Sequence, residues 1–333
     1  MNKIKTLFII TLTIGSIFCN VFISFNSINA ELLDVIDYSD SSNKETENIE
    51  TNSDGWYYLP AYPNYAPNGL PDFSEIQQDD WFAFGRWKLC GATSIADVLW
   101  WFDSEHENQS GYPGDGNDDY PLVKYYHSTV PPNPGPYFDD HNFNNVNDNR
   151  TPRFRYYTPS GELIEQVAWY TCRIEFSIFW EKIDKFGIFE AINLFFGIKK
   201  WIKDAGLQDR YSVKVISRPS FSLICENVTN NSGVILSLIN YDPASKPIPL
   251  TWGHYVAVAG INPNGQIALS DPIRDKTNPS IDSAEHNNAS IVSHDIWNVS
   301  LTSPYKLLSS WWLPGYAKYG VIVNGAIIIS EKK

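Results

Sequence analysis

Positive charge is scarce in this sequence: its 333 residues include 25 Lys or Arg against 38 Asp or Glu, a formal net charge of −13. Nucleic-acid binding needs clustered cations to neutralise phosphate, and no such cluster occurs, so that class is excluded. An acidic surface suits an extracellular, soluble protein. Long apolar runs are scarce too. One stands near the amino terminus, from Leu7 to Phe25, behind Lys3 and Lys5 and ahead of Ala30 and Glu31. This is the layout of a secretory signal cut after Ala30, and its length also suits an uncleaved membrane anchor. Cys19 follows Phe18 where a lipoprotein signal has a small residue, which argues against lipidation. Further along, "VIVNGAIII" is interrupted by Asn324 and Gly325 and reads as a hairpin.

Cysteine is sparse and oddly numbered. Of four in the chain, one lies in the expected signal, leaving Cys90, Cys172 and Cys225. In an oxidising compartment thiols tend to pair, so one is left over; if Cys172 and Cys225 bridge, it is Cys90, and the alternative is that all three are reduced. No His or Cys pair has the short separations of a zinc site. Asp115, Asn117 and Asp119 have the alternate-residue oxygens that begin a calcium loop, without its closing Glu. A solvated loop is the simpler reading, with calcium left open and no cofactor required.

What is present is ample apolar material, 43% hydrophobic and 15% aromatic, enough for one sizeable core. Residues 31–55 are polar and acidic and read as a linker, so the folded domain is expected over 56–333. The segment 110–153, rich in Gly, Pro, Asn and Asp, is too long for an ordinary connection and reads as a functional excursion or lid. Helical spacing recurs over 161–172 and 185–206, with Gly206 as a stop. "YSVKVISRP" alternates as a strand, "FSLICENVTNN" reads as a short helix and "GVILSLINYD" as a buried strand. Helices followed by strands predict an α+β fold.

In "CGATSIADVLWWFDSE" Ala92, Ile95, Ala96, Leu99 and Phe102 share one helical stripe, which leaves Cys90 in the first turn and Gly91 keeping its approach uncrowded. The positive end of a helix favours thiolate over thiol, so a cysteine there can titrate well below about 8.5. A thiolate nucleophile needs a histidine to relay its proton and a third group to orient that histidine. His254 begins a strand that turns through 262–265 and returns as 266–271. If Ile261 pairs Gln266, Val256 faces Asp271, and alternation puts Asp271 on the face of His254. A slip of one residue would destroy this parity. His106, His127, His141, His286 and His294 lack such a partnered strand.

These motifs occur in an order that resembles the papain-like cysteine peptidases of the peptidase C39-like group, above all a secreted prokaryotic subset. The stretches are "PDFSEIQQDDW", "CGATSIADVLWWFDSE", "HYVAVAG", "SDP", "VSHDI" and "WWLPGY", from about Pro71 to Tyr316. The resemblance implies a papain-like fold with the nucleophile at the start of a helix packed on an antiparallel sheet. It implies Cys90 as nucleophile, His254 as base and acid, and Asp271 as orienting group. The usual oxyanion glutamine, about six residues before the cysteine, is replaced by Phe84; Gln78 is the best substitute, with Gln77 next. Ala92 stands where relatives often carry proline.

Two classes of function follow. One is a secreted thiol peptidase or amidase acting on a peptide or protein. The other is a non-catalytic surface-binding module on the same fold, motivated by the aromatic load and leaving cell-envelope association open; its Trp pairs, 100–101 and 311–312, also suit a core.

Overall fold

The patterns over 161–172 and 185–206 appear as two α-helices in the computed structural model. It describes residues 55–62, 66, 69–73, 82–83, 86–87, 89–106, 120, 122–123, 163–171, 188–245, 250–273, 295–304, 309 and 311–332. The signal, linker and lid expectations, and Gln77, Gln78, Phe84, Asp115, Asn117, Asp119, Cys172, His127, His141, His286 and His294, lie outside the described residues.

In chain order the elements are β1 (Tyr57–Tyr58), β2 (Phe82–Ala83), β3 (Arg86–Trp87), α1 (Cys90–Glu105), α2 (Leu163–Thr171), α3 (Ile188–Asp204) and β4 (Tyr211–Ser217), followed by α4 (Phe221–Thr229), β5 (Gly233–Tyr241), β6 (Leu250–Asn262), β7 (Gln266–Ser270), β8 (Asp295–Asn298), β9 (Trp312–Leu313) and β10 (Val321–Glu331). Gly206 ends α3 as expected: its φ is +78°, and the N–H groups of Gly206 and Leu207 donate to Lys203 and Ile202 at 2.9 Å each. This double bond around a left-handed glycine satisfies carbonyls the helix would otherwise leave open.

The main sheet has the order β4-β10-β5-β6-β7-β8, with β1 beside β6 and β9 beside β10. Each of these pairings is antiparallel, so the fold is α+β as the element order predicts. The expected hairpin in "VIVNGAIII" is instead one strand. Neither Asn324 nor Gly325 has the positive φ that a tight primed turn needs. The pairing of β10 with β5 shifts by one residue between Val323 and Gly325, a bulge, and the Asn324 carbonyl accepts the Arg218 N–H at 2.9 Å.

Helix α1 departs from the expected stripe as well. Every residue from Gly91 to Ser104 is buried, so the helix is covered on all sides. Two polar side chains fold back on it: Thr93 and Ser104 donate to the Leu89 and Trp100 carbonyls, at 2.9 and 2.7 Å. Trp100, Trp101 and Trp311 are fully buried. The indoles of Trp101 and Trp311 donate to the Pro60 and Pro219 carbonyls at 2.9 and 2.8 Å. These rings are core, and of the two pairs only Trp312 is partly exposed. Among the described residues no helix is long and apolar enough to cross a membrane.

Candidate active site

His254 sits within β6 and is buried, opposite Leu238 of β5. The expected parity with Asp271 arises by an unexpected route. At the turn Asn262, not Ile261, pairs Gln266, the one-residue slip that would turn Asp271 away. The loop 263–265 explains it: Gly265 has φ +101°, its N–H donates to the Asn262 carbonyl at 3.0 Å, and the Asn262 side chain accepts from the Asn264 N–H at 3.0 Å. Between Val258 and Gly260 the register then shifts back, so that Ala257 pairs Ser270. The bulge at Ala259 undoes the slip, and Asp271 faces the side of the sheet that carries His254.

The two side chains meet. His254 Nε2 lies 2.8 Å from Asp271 Oδ1, the geometry of an N–H donating to a carboxylate. That tautomer leaves Nδ1 as the ring atom able to exchange a proton with another group. Asp271 is held by more than His254: the Ile273 N–H donates to Oδ1 at 3.0 Å, and the Tyr316 hydroxyl donates to Oδ2. Burial pushes the Asp271 carboxyl up, but the charge and hydrogen bond of His254, with the Tyr316 and Ile273 donors, outweigh it and hold the group below its ordinary value.

Tyr316, the final residue of "WWLPGY", carries no mark in the sequence of its contact with Asp271. A tyrosine beside Pro and Gly ordinarily reads as packing, and its ring does pack on Trp297, with centroids 4.9 Å apart. The Trp252 ring lies edge-on to His254, with centroids 6.3 Å apart.

Cys90 is the first residue of α1 and is partly buried. Ser220 caps α4 by accepting the Leu223 N–H at 3.2 Å, but no side chain caps α1, whose N-cap residue is Leu89. No acidic residue stands in the first turn of α1, so its positive end is not neutralised from within that turn. Gly91 serves packing rather than open access. A Cβ there would sit 3.1 Å from both methyls of Leu194 and 3.6 Å from the Tyr255 ring. Cys90 and His254 thus each precede one of two residues that approach each other, Gly91 and Tyr255.

Cys225 agrees with the reduced alternative: it is a thiol, on the buried face of α4 with Phe221, Ile224 and Val228. Burial pushes that thiol up to about 12. Cys90 is likewise not in a disulfide.

One group of potential metal ligands converges among the described residues: Glu105, His106 and Glu331. It lies at the far end of α1, about 24 Å of helix from Cys90. Arg210 already supplies a cation there, ion-paired to Glu331 and 3.1 Å from His106 Nε2. No family model, curated protein or solved structure matches the chain, so the resemblance stands on the order and spacing of its motifs.

Proposed function

We propose that this protein is a secreted thiol-dependent peptidase or amidase with a papain-like arrangement, in which Cys90, His254 and Asp271 act through an acyl-enzyme. The observation that carries the reading is the buried Asp271–His254 hydrogen bond. It spends Nε2 on an orienting carboxylate and leaves Nδ1 for proton transfer, the division of labour a general base requires.

In this reading Nδ1 takes the Cys90 proton, and the thiolate attacks the substrate carbonyl carbon, forming a C–S bond while the π pair moves to oxygen. The Cys90 N–H and Gln78 hold that oxyanion. Collapse breaks the C–N bond, and the leaving amine takes the proton from Nδ1. Water then loses a proton to Nδ1 and attacks the thioester carbon; collapse breaks the C–S bond, releasing the carboxylic acid, and the departing thiolate takes the proton from Nδ1. Transfer to an amine in place of water uses the same groups. Asp271 stays ionised throughout, which its three donors favour.

The test is the pH dependence of alkylation by a neutral reagent, read by peptide mass spectrometry at each cysteine. Cys90 is expected to react fast, with an apparent pKa below the free-thiol value of about 8.5, shifted upward in His254→Ala. Cys225 is the internal control and stays unmodified at neutral pH. Asp271→Asn is expected to lower turnover of any peptide substrate by on the order of 100-fold to 10,000-fold. A Cys90 that reacts like a free thiol, with the same profile in His254→Ala, sinks the reading.

A further inference from the structure

Directly across the sheet from Asp271 lies a second pair of buried acids. Asp97 comes from the middle of α1 and has no exposed surface; Asp72 comes from the segment 69–73 and is 7% exposed. Both reach Ser270, the residue before Asp271. Ser270 Oγ is 2.7 Å from Asp72 Oδ1 and 3.1 Å from Asp97 Oδ2, and the Phe73 N–H donates to Asp97 Oδ1 at 3.0 Å.

Counting hydrogens decides the protonation. The Ser270 hydroxyl has one hydrogen and can donate it fully to one carboxylate. With both acids ionised, its other short contact would set lone pair against lone pair inside the core, beside a like-charged neighbour. One added proton resolves both Ser270 contacts. Asp97 Oδ2–H donates to Ser270 Oγ, Ser270 O–H donates to Asp72 Oδ1, and Asp97 Oδ1 remains a carbonyl-type acceptor for Phe73. The more deeply buried acid is the one that carries the proton.

We propose that Asp72 and Asp97 share a single proton through Ser270, and that this clamp positions Asp271. Ser270 and Asp271 are consecutive and point to opposite sides of the sheet, so the backbone that aims Asp271 at His254 is anchored from behind by the two acids. Asp97, Asp72 and Ser270 are positioning residues in this scheme, and that role rests on the reading of Cys90, His254 and Asp271 given above. The electrostatics agree: burial first, and then the charge of Asp72, raise Asp97 well above the usual carboxylate range, against the lowering effect of Phe73 and Ser270. Among the described residues Asp72 is the charged group acting on Asp97.

A native acid raised in this way binds a proton that the unfolded chain has lost. The stabilisation is complete below the unfolded value near 3.9 and is lost as pH rises toward the folded value. Asp97→Asn keeps the shape, offers an N–H to Ser270 and a C=O to Phe73, and has no proton to lose. The experiment compares wild type with Asp97→Asn by infrared spectroscopy at pH 7 and by urea denaturation across pH. The wild type is expected to show the carbonyl stretch of a protonated carboxylic acid, absent from the variant. Its unfolding constant relative to the variant should rise by about tenfold per pH unit within the window.

The positioning role is read from the Cys90 alkylation profile. Ser270→Ala should move that profile toward that of Asp271→Asn. Absence of the infrared band at pH 7, or a stability difference that is flat with pH, overturns the shared proton. An unmoved profile in a folded Ser270→Ala overturns the positioning. An inert Cys90 in the wild type would instead defeat the catalytic reading and leave the infrared band standing.

Discussion

Tyr316→Phe removes one of the three donors that hold Asp271 while keeping the ring in the core. Hydrogen bonds to a charged acceptor contribute about 1.5–3 kcal/mol, and the variant is expected to lose roughly that much stability at pH 7, measured by urea denaturation. Because Asp271 sits below its ordinary value when folded, its stabilisation is present above about pH 3.9 and is lost as pH falls through the folded value. The difference between wild type and Tyr316→Phe should therefore shrink in acid. At this scale the sequence is unevenly legible. His254 and Asp271 could be paired because strand alternation is a strict period of two. Tyr316 could not, because the contact spans 45 residues and depends on how two distant segments pack. Asp97 left a fainter signal: an acid between Ala96 and Val98, in the middle of a helix buried on all sides, needs a buried partner, and Asp72 supplies the neighbouring charge.

Glycines mark where elements come closest. A Cβ on Gly197 of α3 would lie 2.7 Å from both the Thr171 Cα and the Tyr170 carbonyl oxygen of α2, so the contact is with backbone and cannot be relieved by a side-chain rotation. Alanine is favoured over glycine in a helix by up to about 1 kcal/mol, yet Gly197→Ala is expected to destabilise by about 1–3 kcal/mol through overpacking. Thermal denaturation of the variant checks the sign, since propensity alone would raise the melting temperature. The same close approach explains what the strand pattern hid in β6. Tyr58 of β1 lies over Gly260, where a Cβ would be 2.4 Å from its ring, and the bulge falls beside that position. Alternation in a sequence counts residues and carries no mark for one that is skipped, so the register expected at the turn was off by one while the pairing at the site was right. The extent of α1 is legible from its apolar content, but the five-position stripe leaves out Val98, Trp100 and Trp101, which cover the remaining faces.

The two buried acids on opposite sides of Ser270–Asp271 make opposite demands on pH for the molecule as a whole. Asp271 withdraws support below about pH 3.9, whereas Asp97 withdraws it progressively above that value. A formal charge of −13 adds self-repulsion as pH rises. The melting temperature is expected to peak between about pH 4 and 6 and to decline toward neutrality, a decline that Asp97→Asn should flatten in a scanning calorimetry series. The order of strands in the sheet bears on how the chain reaches this state. β10, the last strand among the described residues, lies between β4 and β5, which precede it by roughly a hundred residues. Until residues 321–331 have been synthesised, β4 and β5 lack the strand that joins them. Closure of the sheet is therefore a long-range event, slow by the usual cost of distant contacts, and β4 stays unjoined to the β5–β8 part of the sheet until residues 321–331 arrive to bridge the gap.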